Sequence, residues 1–177
     1  MRRSDPLILG GGPAGSAAAI TLARAGLRPL LLERQRETGD AICGGFLSWH
    51  SLAALDRLGV AVPGAPATEL RLFTGANQAR ATLPRPALGV SRRTLDIAML
   101  QTAERAGAAV DRGVHARAVE GRTVRIDGDA VTAERLLLAT GKHDVRGAGR
   151  PRDAGDPALG LRVRLGPAGA LARTGWR

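Results

Sequence analysis

Three features of this 177-residue sequence predict an α/β fold organised around a parallel sheet. The apolar triplet Leu7-Ile8-Leu9 runs straight into Gly10-Gly11-Gly12-Pro13-Ala14-Gly15, and an alanine-rich stretch with helical character follows. A second triplet, Leu30-Leu31-Leu32, comes after Gly26 and ends on an acid, Glu33. A third run, Leu136-Leu137-Leu138-Ala139, ends on Thr140-Gly141. Short unbroken apolar runs read as strands buried on both faces, and a helix joining the first two makes them parallel, with a right-handed crossover.

The elements follow in order. Leu7 to Leu9 is the first strand, and Pro13 to Ala25 is a helix with Gly26 as its stop. Pro13 suits the first turn because it has no N–H to leave unpaired there. Leu30 to Leu32 is the second strand, with Pro29 at its start. Residues 34–47 read as loop. Ser48 caps a helix that runs to about Leu58 and stops at Gly59, and residues 59–68 read as a Pro/Gly/Ala linker. Glu69 to Phe73 and Ala79 to Leu83 flank Gly75-Ala76-Asn77 as a hairpin. Ser91 opens an amphipathic helix on which Leu95, Ala98, Met99, Thr102, Ala103 and Ala106 share a face, and Gly107 ends it. Short strands are expected at Ala109–Asp111, His115–Val119, Val124–Ile126 and Ala130–Thr132, the last three joined by tight turns at Glu120-Gly121 and Asp127-Gly128. Leu136–Ala139 reads as another buried strand. Residues 147–157 read as loop, and Leu159, Leu161, Val163 and Leu165 alternate as a half-buried strand. There are no internal repeats.

The glycine run carries the chemistry. Gly10, Gly12 and Gly15 fit G-x-G-x-x-G between a strand and a helix. In that context glycines allow a tight turn and a close approach of backbone to a pyrophosphate, while the helix N-terminus supplies N–H groups and a favourable dipole. Glu33 lies 18 residues past Gly15, where a carboxylate accepts hydrogen bonds from the ribose hydroxyls. Arg34 falls near the adenine or a phosphate. An acid in that place disfavours a 2′-phosphate, so the loop suits FAD or NAD better than NADP.

Composition narrows the classes. The net charge is +10, carried almost wholly by arginine, with Lys142 as the single lysine. The arginines are scattered and aromatics make up 2% of the chain, so base-stacking nucleic-acid binding is not the expected role. One cysteine, Cys43, allows no internal disulfide and no cysteine-built metal site, and no two histidines share a ligand spacing. No metal is expected. No apolar run is long enough to span a membrane, and Asp5-Pro6 with the glycines interrupts any signal-like stretch after Arg2-Arg3. A reducing cytoplasm fits. His143, after a glycine, reads either as a solvated side chain or as a proton carrier, and Asp96 as a partner for Arg92 one helical turn away.

The stretches GGGPAGSAAAITLARAG and LLLER resemble the N-terminus of FAD-dependent oxidoreductases of the para-hydroxybenzoate hydroxylase fold, in their geranylgeranyl-reductase-like and aromatic-ring-hydroxylase-like branch. Ile42–Ser48, Val90–Leu100 and Leu136–Gly147 resemble that branch's flavin-facing loop, arginine-led helix and second strand-to-glycine motif. The resemblance covers about residues 5–165. It implies a Rossmann-like FAD-binding βαβ unit with parallel sheet, a three-stranded antiparallel meander, and an incomplete antiparallel substrate-domain sheet. The FAD/NAD(P)-binding domain would take residues 1–62 and 90–150, and partial substrate-domain strands residues 63–89 and 151–177.

It implies FAD as cofactor, NAD(P)H as reductant, and either hydroxylation or hydride transfer on a small organic substrate. By motif, Gly10, Gly12, Pro13, Ala14, Gly15, Glu33 and Arg34 hold the ADP half of the cofactor. Cys43 and Gly44 belong to the flavin-facing loop, although Cys43 also reads as a small buried hydrophobe. Arg92 reaches the diphosphate or ribityl region, and Gly141 allows close approach. Asp144 and Arg146 occupy a motif linked to pyridine-nucleotide use. No residue is assigned a catalytic role. The family's later Gly-Asp motif has no counterpart after Gly147, since Gly155-Asp156 precedes a proline. The expectation is therefore an N-terminal half, with a missing C-terminal half or a second copy as partner. An NAD-binding dehydrogenase domain and a non-catalytic partner subunit of a split flavoprotein are the alternatives left open.

Overall fold

The computed structural model describes residues 2–41 and 44–151. In chain order its elements are β1 (Arg2–Arg3), β2 (Leu7–Leu9), α1 (Pro13–Arg24), β3 (Leu30–Glu33), α2 (Trp49–Arg57), β4 (Ala65–Thr74) and β5 (Asn77–Gly89). There follow α3 (Arg92–Ala106), β6 (Ala109–Arg112), β7 (Ala118–Glu120), β8 (Thr123–Ile126), β9 (Asp129–Thr132) and β10 (Leu136–Leu138). The predicted α/β class holds.

A parallel sheet in the order β10-β2-β3-β6 forms the middle layer. The apolar triplets alternate across it. Ile8 and Leu31 face the helices and pack with Ile20, Leu95, Met99, Leu100 and Ala103. Leu7, Leu9, Leu30 and Leu32 face the other way, against Val124 and Val131 of the meander. Both faces are covered, which is why these strands carry no polar alternation. Each fully buried leucine or isoleucine contributes about 1.5–3 kcal/mol of transfer free energy, so this layer dominates the core.

The helices start and stop where their sequences direct. Ser91 accepts a hydrogen bond from the Thr94 N–H at 3.1 Å and caps α3, which ends at Gly107 in the left-handed region (φ 105°). Ser48 does the same for α2 from the Ser51 N–H at 3.4 Å. The buried face of α3 also takes in Asp96 and Leu100, which the spacing argument passed over.

Several expectations are corrected. The hairpin is longer than Glu69–Phe73 and Ala79–Leu83, and its first strand begins inside the segment read as linker, leaving residues 59–64 as the connection. Pro84 and Pro86 lie just past the expected end at Leu83, inside the observed strand. In the structure they fall within a register irregularity, where Glu69 pairs with Thr82 but Ala67 pairs with Ala87. A bulge accommodates residues that have no N–H to give to the ladder. The third apolar run is less buried than expected: Leu138 is 44% exposed, because β10 has a single neighbour, β2, among the described residues.

The meander β7-β8-β9 is present and gains a fourth strand, since β1 pairs parallel with β9 (Arg2 with Val131, Arg3 with Thr132). Asp5, on the link from β1 to β2, accepts from the Arg135 backbone N–H at 2.7 Å and from its guanidinium at 2.7 and 3.0 Å. The expected strand at Leu159–Leu165 and the Gly155-Asp156 pair lie outside the described residues.

Candidate dinucleotide-binding cleft

A cleft of about 660 Å³ opens at the carboxyl ends of the parallel strands, a size typical of small-molecule sites at about 300–1,000 Å³. Gly10 to Gly12 form its floor after β2, Glu33 and Arg34 a wall at the end of β3, His115 a wall beyond β6, and Ala139 to Val145 the side after β10. Arg92 and Asp96 enter from the start of α3. In the sheet order β10-β2-β3-β6 the chain runs outward from β2 to β3 and β6, then returns to the other side of β2. The crevice at such a reversal is where open α/β sheets bind ligands.

The three motif glycines do different work. At Gly10 (φ 106°) a Cβ would fall on the carbonyl oxygen of Ala139, and at Gly15 on the carbonyl oxygen of Gly10. Both are needed for the turn and the helix to pack at all. Gly12 has φ −70° and ψ −176°, an ordinary extended conformation. The nearest atom to a Cβ there is Nη2 of Arg92 at 3.9 Å. The chain does not need glycine at position 12 to fold; its missing side chain leaves the space between the loop and Arg92 open.

The loop is pinned between these glycines. The Gly11 N–H donates to Oε2 of Glu33 at 2.6 Å, and the Gly11 carbonyl accepts from the buried hydroxyl of Ser16 at 3.0 Å. The other Glu33 oxygen accepts from the Gln35 N–H at 2.8 Å. At the N-terminus of α1 no side chain caps the helix and no acid stands in the first turn. First-turn amides have no partner within a helix, and with Pro13 at the start those of Ala14 and Gly15 lie at the positive end of the dipole.

Arg92 is held as a fork. Its Nε and Nη2 donate to the two carboxylate oxygens of Asp96 at 2.9 and 3.0 Å, and both side chains are mostly buried. Gly44 (φ 126°) sits against the aliphatic stem of Arg92, where a Cβ would collide with Cγ and Cδ. Asp40 accepts from the Arg93 N–H at 3.2 Å and ties the loop after β3 to the start of α3.

On the far side, the Thr140 hydroxyl donates to the carbonyl of His143, and Gly141 turns at φ 64°. Asp144 pairs with Arg150 at 3.3 Å. The Arg146 carbonyl accepts from the Val119 N–H at 2.8 Å, which fastens this loop to the meander. His143 is neither simply solvated nor isolated: its Nε2 lies 2.7 Å from Nη2 of Arg34.

Of the residues singled out in the sequence, Gly10, Gly12, Glu33, Arg34, Arg92, Gly141 and Asp144 line the one cleft. Pro13, Ala14 and Gly15 form the first turn of α1 behind its floor, and Gly44 supports Arg92 from outside. Cys43 lies outside the described residues. The sequence reading missed Ser16, Asp40 and His115. An S-to-G hydrogen bond five residues apart across a motif leaves no separate sequence signal, and neither does a loop carboxylate reaching a distant helix.

The carboxyls of Asp5, Glu69 and Glu120 are held below the usual range by the guanidinium groups of Arg135, Arg71 and Arg125 respectively; none of them lines the cleft. Among the described residues no group of three His, Cys, Asp or Glu is placed to hold a metal ion. Among them, too, no helix is long and apolar enough to cross a membrane.

Residues 3–148 match the sequence family described as FAD binding domain. Among curated proteins, FixC of Escherichia coli strain K12 is 31% identical over 159 residues, covering 80% of this chain and 37% of FixC. The chain thus spans little more than a third of that relative. Among solved structures, the myxobacterial chondrochloren halogenase CndH, a variant of FAD-dependent halogenases, superposes with a TM-score of 0.65 at 24% identity, over 81% of this chain and 38% of that one. A geranylgeranyl bacteriochlorophyll reductase-like protein from Thermoplasma acidophilum gives 0.63 at 24% identity, over 80% and 40%. The fold is shared with both.

Proposed function

The chain belongs to the FAD binding domain family, and from that premise we propose that it is the cofactor-binding part of an FAD-dependent oxidoreductase. The observation that carries this reading is the division among the motif glycines. Gly10 and Gly15 are locked by backbone, whereas Gly12 leaves open space between the N-terminus of α1 and the Arg92 fork. That space has the donor set a diphosphate requires: helix amides on one side and a guanidinium, already oriented by Asp96, on the other.

In this reading Glu33 takes the ribose hydroxyls through the lone pairs its two backbone hydrogen bonds leave unused. Arg34 lies beside the adenosine, and Gly141 and Asp144 flank the opposite side. Bound FAD supplies two-electron redox chemistry, and the protein's part is to bind, orient and electrostatically tune it. We assign residues 1–62 and 90–150 to the cofactor domain, and residues 63–89 to strands of a substrate domain; the rest of that assignment, 151–177, falls almost wholly outside the described residues. NAD(P)H is the proposed reductant. The proposed substrate is a small organic molecule, hydroxylated or reduced by the whole protein.

The test is flavin binding by the purified chain, followed by flavin fluorescence and equilibrium dialysis. Gly12→Val is expected to fold, because valine accepts the extended backbone of position 12. It should weaken FAD binding by at least about 100-fold by filling the diphosphate space. Unchanged affinity in Gly12→Val, or no FAD binding by the wild-type chain, sinks the assignment.

A further inference from the structure

We propose that His143 is a positioning residue, which holds Arg34 over the cleft only while its imidazole is neutral. The proposal rests on the reading of the cleft as a dinucleotide site. A guanidinium has five donors and no acceptor. At 2.7 Å from Nη2 of Arg34, Nε2 of His143 must therefore be the acceptor, so the ring is neutral with its proton on Nδ1. Protonation would put two donors and two positive charges face to face, and the contact must then open.

The two side chains come from opposite walls. Arg34 follows β3, and His143 belongs to the loop after β10. That loop is itself fixed: the Thr140 hydroxyl holds the His143 carbonyl, Asp144 pairs with Arg150, and the Arg146 carbonyl is bound to the meander. His143 is thus a firm anchor for a long, exposed arginine, whose rotamer entropy would otherwise oppose a fixed position. The other charged and titratable groups that line the cleft with the pair are Lys142 and Asp144 on its own loop, Glu33 on β3, His115 beyond β6, Asp40 on the loop after β3, and the Arg92–Asp96 pair on α3. His115 is the other imidazole that lines the cleft, so the test must separate the two.

The experiment measures FAD affinity of the full chain from pH 5.5 to 8, with His143→Gln, His143→Ala, Arg34→Ala and the double variant. Glutamine retains an acceptor and does not titrate. Wild type is expected to bind about fivefold more weakly at the acid end, the scale of one ordinary net hydrogen bond. His143→Gln should match wild type at pH 8 and show no such loss. His143→Ala and Arg34→Ala should each lose about fivefold at pH 8, and the double variant no more than either alone.

A wild-type profile that is flat, that tightens on acidification, or that persists in His143→Gln overturns the proposal; tightening would mean that the imidazolium binds the anion directly. A second readout needs no cofactor. The ¹⁵N shifts of the His143 ring in the unliganded chain should report the Nδ1–H tautomer at pH 8, and that preference should be lost in Arg34→Ala. An Nε2–H tautomer overturns the proposal even if FAD binds. Correct tautomer behaviour without FAD binding removes the dinucleotide reading and leaves the Arg34–His143 contact standing.

Discussion

The β2–α1–β3 unit and the β4–β5 hairpin are built from similar lengths of chain to opposite ends. In the first, Leu7, Ile8, Ala19, Ile20 and Leu31 are fully buried, and the turn is dictated by backbone meeting backbone at Gly10 and Gly15. In the second, Leu70, Leu72 and Phe73 are 46, 58 and 56% exposed, and nothing approaches a Cβ at Gly75. Cross-strand pairing puts Leu70 opposite Ala81 and Leu72 opposite Ala79, so one hairpin face is apolar and open. The first region is covered on both faces, by α3 and by the meander. The second is held by its ladder and by its root near α2 and Leu47, and its substitutions should register weakly in this chain.

The largest expected effect comes from matched glycines. Gly15→Ala drives a methyl into the Gly10 carbonyl, which belongs to a locked turn and cannot yield. We expect a loss of about 3 kcal/mol or more. Gly75→Ala must only hold a left-handed conformation at φ 55° with open space around it, costing about 1–2 kcal/mol. Urea denaturation of the two variants compares them directly, and equal losses would remove the contrast.

Next come the leucines. Leu31→Ala should cost about 2–5 kcal/mol through lost burial and a cavity between the sheet and the helices. Leu72→Ala should stay within about 0.5 kcal/mol. A large loss for Leu72→Ala in the same denaturation series would mean that its face is covered in solution.

The smallest effect concerns Asp5, whose clamp on Arg135 ties the link between β1 and β2 to the start of β10. Its folded-state pKa is lowered, chiefly by the hydrogen bonds from the Arg135 side chain. The clamp's contribution is therefore present above the pKa of the unfolded carboxyl and is lost as pH falls through the folded one. Melting curves through the acidic range should fall less steeply for Asp5→Asn than for wild type, and parallel curves would assign the acid response to other groups.

What could be read from the sequence follows the same division. The triplets of β2 and β3 were legible because burial on both faces leaves unbroken apolar runs, and the glycine loop because only glycine fits a turn roofed by a carbonyl. The limits of the hairpin were not, since Pro84 and Pro86 normally end a strand and here sit in a bulge. Strand β1 was not either: Arg2-Arg3 has no apolar signature, and its ladder with β9 is made by backbone. In the cleft, Glu33 and Arg92 stand within motifs. Arg34 and His143 meet across 109 residues of chain, and no local spacing encodes a contact of that range.

The position of β2 between β3 and β10 has a consequence for the order of assembly. One of its neighbours follows within a single helix, but the other, and the Ala139 carbonyl that roofs Gly10, come from the far end of the described chain. During synthesis the glycine loop emerges well before β10, and α1 and β3 can dock on β2 in the interval. The second wall of the cleft closes only once Leu136–Ala139 has been made. Long-range parallel pairing of this kind is slow to form, so β2 waits with one edge unpaired. A nucleotide that binds the finished cleft and not the waiting intermediate would draw the chain toward completion by mass action, making the cofactor a late participant in folding.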